Sequence, residues 1–350
     1  MVLKKTEKKF DEYKQSYPVQ LTLFSLLDGG DENYSQTIEF YDFIPKYVVG
    51  NVEKHRIEGK FLEPVKRQFE CRGKSYGLTL LPARVEISDG EFKDYFMGVR
   101  EEIVEDALRK LAVEGKGVML DDELGLAFTI YEIEKELAET GHTYSYSQIV
   151  NALKILATAT IHISAESEQS LPETGKSTKN GKKKDLFFHP IETLAFESAD
   201  ETPTFVRFSP LVTKSIREHS FRMINYKQSM RLKSYVSRSL FKRLSHHFTQ
   251  AEITKPYGIL LSTIIRDFGL TMQSRLKNNL ENVEDALKEL RETDSILAYK
   301  IEKIYDVKKK NKLIDAKITI TPSFSFSGDA KRFNAKTKKN KEMLGGSATG

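Results

Sequence analysis

The chain has 350 residues, 39% of them apolar, with 21 Phe and 15 Tyr, enough to build cores and to exclude wholesale disorder. At about 150 residues per domain, two domains are expected. Net charge is +5, from 55 basic and 50 acidic residues; no run of about 18 apolar residues marks a membrane span, and a lone cysteine, Cys71, excludes an internal disulfide and a zinc site of its own.

The N-terminal stretch Met1–Lys9 is basic with no apolar run behind it, so no secretory signal is expected. Tyr17–Leu27 reads as a strand and Gly29-Gly30-Asp31 as a turn. Ser35–Phe43 alternates like a strand, and Gly77–Pro82 reads as an edge strand. Arg100–Val113 is an amphipathic helix with Ile103, Val104, Ala107, Leu108 and Leu111 on one face. Phe128–Glu139 is a second helix, stopped by Gly141, and Tyr146–Ala157 is a third, with Ser145 and Gln148 at capping-box spacing. Ala159–Ser164 is a strand and Glu166–Lys184 a long polar loop; Asp185–His189 and Thr204–Phe208 read as returning strands.

The order then repeats. Leu211–Glu218 is a short helix, Lys227–Phe248 a long one, and Tyr257–Phe268 another, broken by Gly269. Thr271 is placed to cap a helix over Met272–Arg291. Two strands, Ile296–Tyr305 and Leu313–Thr321, flank a basic tip with Lys308, Lys309, Lys310 and Lys312, and the Lys-, Gly- and Ser-rich run after Ser323 reads as a disordered basic tail. Helix, turn, helix and strand pair is the order of a winged helix-turn-helix. The expected fold is α+β: an N-terminal extension (1–73), two tandem winged-helix domains (74–208 and 209–322) and the tail (323–350).

The charges are unevenly placed. No acidic residue stands between Glu218 and Glu252, a window that holds Lys227, Arg231, Lys233, Arg238, Lys242 and Arg243, whereas Glu101–Glu139 is acidic. One surface therefore suits an anionic partner. The first part of the second domain's last long helix offers Gln273, Ser274, Arg275, Lys277 and Asn278, residue types that read base edges in a major groove. The basic window and the Lys308–Lys310 tip suit phosphates. A solvated polar face is the competing reading, and the lack of mixed signs weighs against it. The first domain's equivalent helix shows a thinner set, Ser147, Gln148, Asn151 and Lys154, preceded by Glu132, Glu134, Glu136 and Glu139. That domain either contacts DNA weakly or serves mainly in dimerisation.

No catalytic or cofactor-binding constellation emerges. Ser170–Ser177 resembles a phosphate loop, but loop-like residues follow it where a helix is required. His246 and His247 are adjacent on a helix and point about 100° apart, so they do not converge on a metal. Asp121, Asp122 and Glu123 have no second acidic cluster for two-metal chemistry. The chain reads as a non-enzymatic protein without cofactor or metal.

The stretches Val99–Ala112 (VREEIVEDALRKLA) and Gly141–Ser145 (GHTYS) resemble bacterial plasmid replication initiator (Rep) proteins. So do Arg231–Ser234 (RLKS) with Lys242–His246 (KRLSH), and Leu261–Asp267 (LSTIIRD). Ser35–Val48, with Asp42 and Pro45-Lys46-Tyr47, is similar more weakly. The likeness runs over residues 35–322 and rests on order and spacing. It implies tandem winged-helix domains that bind repeated double-stranded DNA sites (iterons) at a plasmid origin. It further implies opening of the origin with the host initiator ATPase and loading of the host replicative helicase. It also implies a homodimer, formed through the first domain and repressing its own gene, in exchange with an initiating monomer. The expected setting is cytoplasmic, with no membrane partner. The extension Met1–Cys71 and the Glu166–Lys184 loop depart from the simplest two-domain plan. The rival readings are a winged-helix transcriptional repressor or plasmid-partition protein and, in another class, an origin nickase.

Overall fold

The computed structural model describes residues 34–50, 62–120, 123–165, 184–196, 203–217, 221–273, 275–306 and 312–346. The expected strand Tyr17–Leu27, the turn Gly29–Asp31, Ser170–Ser177 and its loop (166–183), Asp121, Asp122, Ser274 and the tip Lys308–Lys310 lie outside the described residues.

In chain order the elements begin with β1 (Tyr34–Thr37), α1 (Glu39–Phe43), β2 (Val65–Cys71), β3 (Lys74–Leu81), β4 (Ala83–Ser88) and β5 (Glu91–Tyr95). Then come α2 (Val99–Leu111), β6 (Gly117–Leu120), β7 (Glu123–Phe128), α3 (Ile130–Glu139), α4 (Tyr146–Thr158), β8 (Thr160–Ala165) and β9 (Lys184–Phe188). They are followed by β10 (Ile191–Ala195), β11 (Thr204–Phe208), α5 (Pro210–Arg217), β12 (Arg222–Asn225), α6 (Tyr226–Arg231) and α7 (Tyr235–His247). The chain closes with β13 (Tyr257–Leu260), α8 (Leu261–Asp267), α9 (Leu276–Glu292), β14 (Ile296–Asp306), β15 (Lys312–Pro322) and α10 (Phe324–Gly346). Helices and strands intermix throughout, an α+β fold.

The chain divides into two compact units. The first takes Lys46–Lys66 and Leu78–Ser220 together with the N-terminus; the second takes Thr37–Pro45, Arg67–Gly77 and Phe221–Gly350. Two N-terminal pieces thus belong with the C-terminal unit.

In the first unit, α3 and α4 follow their apolar periodicity, burying Ile133 and Leu137, and Ile149, Leu153 and Leu156. Both start with capping boxes, Thr129 with Glu132 and Ser145 with Gln148, which satisfy first-turn N–H groups. An antiparallel sheet runs β10–β11–β7–β6, and β8 pairs antiparallel with β9. Thr204–Phe208, expected as a returning strand, is one and pairs with β7, Phe205 opposite Ala127. Helix α2 buries charge as well as apolar groups. Glu105 accepts from Lys46 Nζ at 3.3 Å and from Tyr47 Oη at 2.5 Å, so these buried polar groups are paired.

In the second unit, α8 and α9 pack against the sheet β13–β15–β14. Leu280, Val283, Leu287 and Leu290 of α9 are buried, as are Ala316, Ile318 and Ile320 of β15. Four expectations are corrected. Ser35–Phe43 is not one strand but β1 followed by α1, and Tyr257–Leu260 is a strand ahead of α8. The run Lys227–Phe248 is two helices, parted at Leu232–Ser234. The tail is not disordered over its described part: α10 places Phe326, Ala330 and Phe333 at helical spacing, all buried. Phe326 meets Phe241 edge-on at 5.9 Å, and Asn334 donates to the Thr249 carbonyl at 2.7 Å.

No helix among the described residues is long and apolar enough to cross a membrane.

Candidate nucleic-acid interface

Helix α8 ends in a Schellman motif. Gly269 adopts φ +62°, its N–H donates to the Arg266 carbonyl, and the Leu270 N–H reaches back to Ile265. Arg275, the residue preceding α9, is extended (φ −115°, ψ 113°). The expected Thr271 cap is corrected: Thr271 lies outside the helix, and no side chain caps α9. Instead the buried Asn279 pins the turn. Its amide donates to the Thr271 carbonyl at 3.0 Å and its Oδ1 accepts from the Gln273 N–H at 2.8 Å.

This places four of the expected reading residues together. Gln273 lies in the turn, Arg275 at the helix entrance, and Lys277 and Asn278 in the first turn, all exposed. Beyond them the outer face changes sign. Lys277 pairs with Glu281 at 3.5 Å, and Glu281, Glu284, Asp285 and Glu292 follow, relieved only by Lys288 and the exposed Arg291 near the end. Arg275 and Lys277 thus stand at the entrance and first turn of α9, which also carries the positive end of the helix dipole.

The basic window divides. Arg238 is wholly buried and donates to the Leu232 and Lys233 carbonyls at 2.8 and 3.0 Å. Arg243 pairs with Asp267 at 2.9 Å, the two side chains 12% and 2% exposed, and donates to Tyr257 Oη at 2.9 Å. Neither faces solvent as a phosphate contact would, so both assignments are corrected: their charge is spent inside the fold. Arg231 and Lys233 are exposed, and Lys227 and Lys242 half-buried. Lys233 lies where its N–H meets Glu289, and Gln228 donates to the Thr293 carbonyl at 2.9 Å. Lys227, Arg231 and Lys233 thus stand toward the far end of α9, about 20 Å from Arg275 at 1.5 Å per residue. Ribbon β14–β15 adds exposed Lys300, Lys303, Lys312 and Lys317; Lys300 pairs with Glu302 at 2.8 Å.

In the first unit, the residues expected on α4 are locally engaged. Gln148 accepts from the Ser145 N–H at 2.9 Å, and Ser147 Oγ is 3.1 Å from Ser145 Oγ. Lys154 sits 5.7 Å from the Phe196 ring centre, and Asn151 is half-buried. Before α4, Glu132 is desolvated, which pushes its carboxyl up, but bonds from Lys116 and Thr129 outweigh this and leave it below the usual carboxylate value.

The two adjacent histidines serve packing. Phe43 of α1 stacks on His247 at 5.2 Å and meets His246 edge-on at 5.4 Å. Among the described residues, no group of three or more His, Cys, Asp or Glu side chains is placed to hold a metal ion.

No protein-family model and no curated protein matches the chain. Among solved structures it is similar to domains 2 and 3 of RctB in a selenomethionine derivative, at 13% identity and TM-score 0.47, covering 79% of this chain and 98% of that one. A second structure of RctB domains 2–3 is 12% identical with TM-score 0.44, covering 79% and 96%. The Pi initiator protein in complex with iteron DNA is 14% identical with TM-score 0.41, covering 65% and 95%. At these scores no residue role passes from them to this chain.

Proposed function

We propose that this protein is a non-enzymatic replication initiator that reads repeated duplex sites through the second of two winged-helix domains. The observation that carries the reading is the polarity of α9. An exposed set of base-reading residue types, Gln273, Arg275, Lys277 and Asn278, sits on its entrance and first turn, and acids occupy most of the outer face beyond. A helix inserted by its first turn needs this distribution, because acids deeper in the groove would meet phosphates. Arg275 suits guanine, and Gln273 or Asn278 adenine. Lys227, Arg231 and Lys233, about 20 Å away along α9, would lie beyond the groove and suit backbone contacts. The ribbon β14–β15 serves as the wing.

The resemblance stated from the sequence motifs extends this to plasmid-origin iterons, origin opening with the host initiator ATPase, helicase loading, and a dimer that represses its own gene. The first domain is assigned to dimerisation, since two of its four candidate contacts are engaged in their own helix cap. The cytoplasm is the setting this function requires.

The test is titration of a duplex selected from a random pool against wild type and the Arg275→Ala/Lys277→Ala variant. A loss of about 10- to 100-fold is expected; unchanged binding at physiological salt rules the reading out. Permanganate reactivity of an AT-rich segment beside the bound repeats separates an initiator from a repressor or partition protein, which would leave the duplex closed.

A further inference from the structure

Strand β2 docks on the turn that leads into α9. The Arg67 guanidinium covers Gly269 so closely that a Cβ placed there would lie 2.5 Å from Nη1 and 2.7 Å from Cζ. The same Nη1 donates to the Pro45 carbonyl at 2.5 Å, which fixes the plane of the group. Three residues on, the Glu70 N–H donates to Asp267 Oδ1 at 3.2 Å, and the Glu70 carboxylate holds Arg266 at 2.6 Å. Asp267 is buried, and it also accepts from Arg266 Nε at 2.7 Å and from Arg243 Nη1 of α7 at 2.9 Å. Three segments far apart in sequence therefore meet at the end of α8, on both sides of Gly269.

We propose that Arg67 and Asp267 are positioning residues for DNA reading: they clamp the α8–α9 turn against β2 and so set the direction in which Arg275, Lys277 and Asn278 are presented. The inference rests on the DNA-reading function proposed above. Base readout depends on side chains held to a fraction of an ångström by their supporting contacts. Leu270–Gln273 lies in no helix or strand, and Asn279 restrains it from within α9. Helix α9 keeps its packing through Leu280, Val283, Leu287 and Leu290 whether or not the clamp is closed. Opening the clamp leaves fold and phosphate contacts in place and blurs the reading end. Discrimination between sequences then falls, while affinity for arbitrary duplex, a matter of phosphates, does not.

The experiment compares wild type, Arg67→Ala, Arg67→Lys and Asp267→Asn, each on the selected duplex and on a scrambled one. In parallel, Cys71, the only cysteine and buried in β2, is labelled with a thiol reagent to report release of the strand. Arg67→Ala and Arg67→Lys are each expected to lower the ratio of specific to scrambled affinity about tenfold, one power of ten in the binding constant. Scrambled binding and its salt slope should stay put, while Cys71 labels faster. Asp267→Asn follows the same pattern. By linkage, the selected duplex slows Cys71 labelling of wild type and the scrambled duplex does not. If Arg67 touched a phosphate instead, lysine would restore binding and alanine would flatten the salt slope by about one; that result overturns the proposal. Unchanged discrimination and unchanged labelling in Arg67→Lys, the variant least disturbing to the fold, overturns it as well. Should wild type itself show no discrimination, the DNA-reading function fails, and the clamp is judged on Cys71 alone: faster labelling in Arg67→Ala upholds it and an unchanged rate refutes it.

Discussion

Glu289, on α9, accepts a hydrogen bond of 2.5 Å from the backbone N–H of Lys233, just ahead of α7. The same carboxylate accepts from the Ser234 N–H at 3.2 Å and from Ser237 Oγ at 2.5 Å. It thus caps α7 from another helix, an anion at the positive end of the dipole. Glu289→Ala should cost about 1–3 kcal/mol in urea unfolding, and Glu289→Gln less. A change within about 0.5 kcal/mol, the range of an ordinary surface substitution, would show that the carboxylate is not acting as a cap.

Arg238 and Lys233 separate stability from DNA affinity. Arg238→Ala leaves the buried Leu232 carbonyl and the partly buried Lys233 carbonyl without this donor and removes a large packed side chain, so a loss of about 3 kcal/mol is expected. Lys233→Ala should leave stability within about 0.5 kcal/mol. It should weaken all duplexes alike and make the salt slope shallower by about one. Stability by denaturation and affinity by titration, measured on the same two variants, check both halves. The reverse assignment of effects would show that Arg238 is the phosphate contact.

Cys71 should be chemically quiet. Burial pushes its thiol up to about 12, with Glu39 adding to the shift, so the thiolate is scarce at neutral pH. Iodoacetamide at pH 8 should modify the folded protein far more slowly than the urea-unfolded chain. Equal rates would mean that β2 is not held as described.

His247 lies between Phe43 and Tyr257, with ring centres 5.2 and 6.1 Å away. Although the residue keeps an exposed edge, desolvation against these two rings, then Arg243, holds its pKa below the ordinary 6.5, outweighing the opposite pull of Glu39 and Asp267. The folded state therefore binds fewer protons than the unfolded one at this residue. Stability is full above pH 6.5 and falls as pH drops through that value toward the lower folded one. His247→Gln should flatten the dependence of Tm on pH between 7 and 5; an identical slope in the variant would remove His247 from the acid response.

The local elements of this fold are readable from sequence where one periodicity runs long enough. Helices α2, α3 and α4 follow their apolar stripes, and β15 alternates from Ala316 to Pro322. The turn Arg72–Gly73, with both residues at positive φ, carries only half of its usual signal, since Arg stands where Asn or Asp is favoured. The break in the basic helix carries one mark in the sequence, Ser234, whose hydroxyl accepts from the Val236 N–H. Helix α10 had another, the spacing of Phe326, Ala330 and Phe333, hidden by the lysines around it. The fate of the arginines was not legible at all. The acid-free window from 219 to 251 looked uncompensated, yet the counter-ion of Arg243 is Asp267 and the acid held by Lys233 and Ser234 is Glu289. The contact of Glu70 with Asp267 spans 197 positions. Charge counted along a chain does not show which charges meet in space.

The most direct test of the central claim is selection of bound sites from random duplex DNA, followed by titration of the selected and scrambled duplexes at two salt concentrations. The account predicts one enriched motif, bound at least about 1000-fold tighter than scrambled DNA, with a log–log salt slope of about −5 for about six phosphate contacts. No enriched motif, with binding that only fades as salt rises, would contradict it and leave the first turn of α9 an ordinary solvated surface.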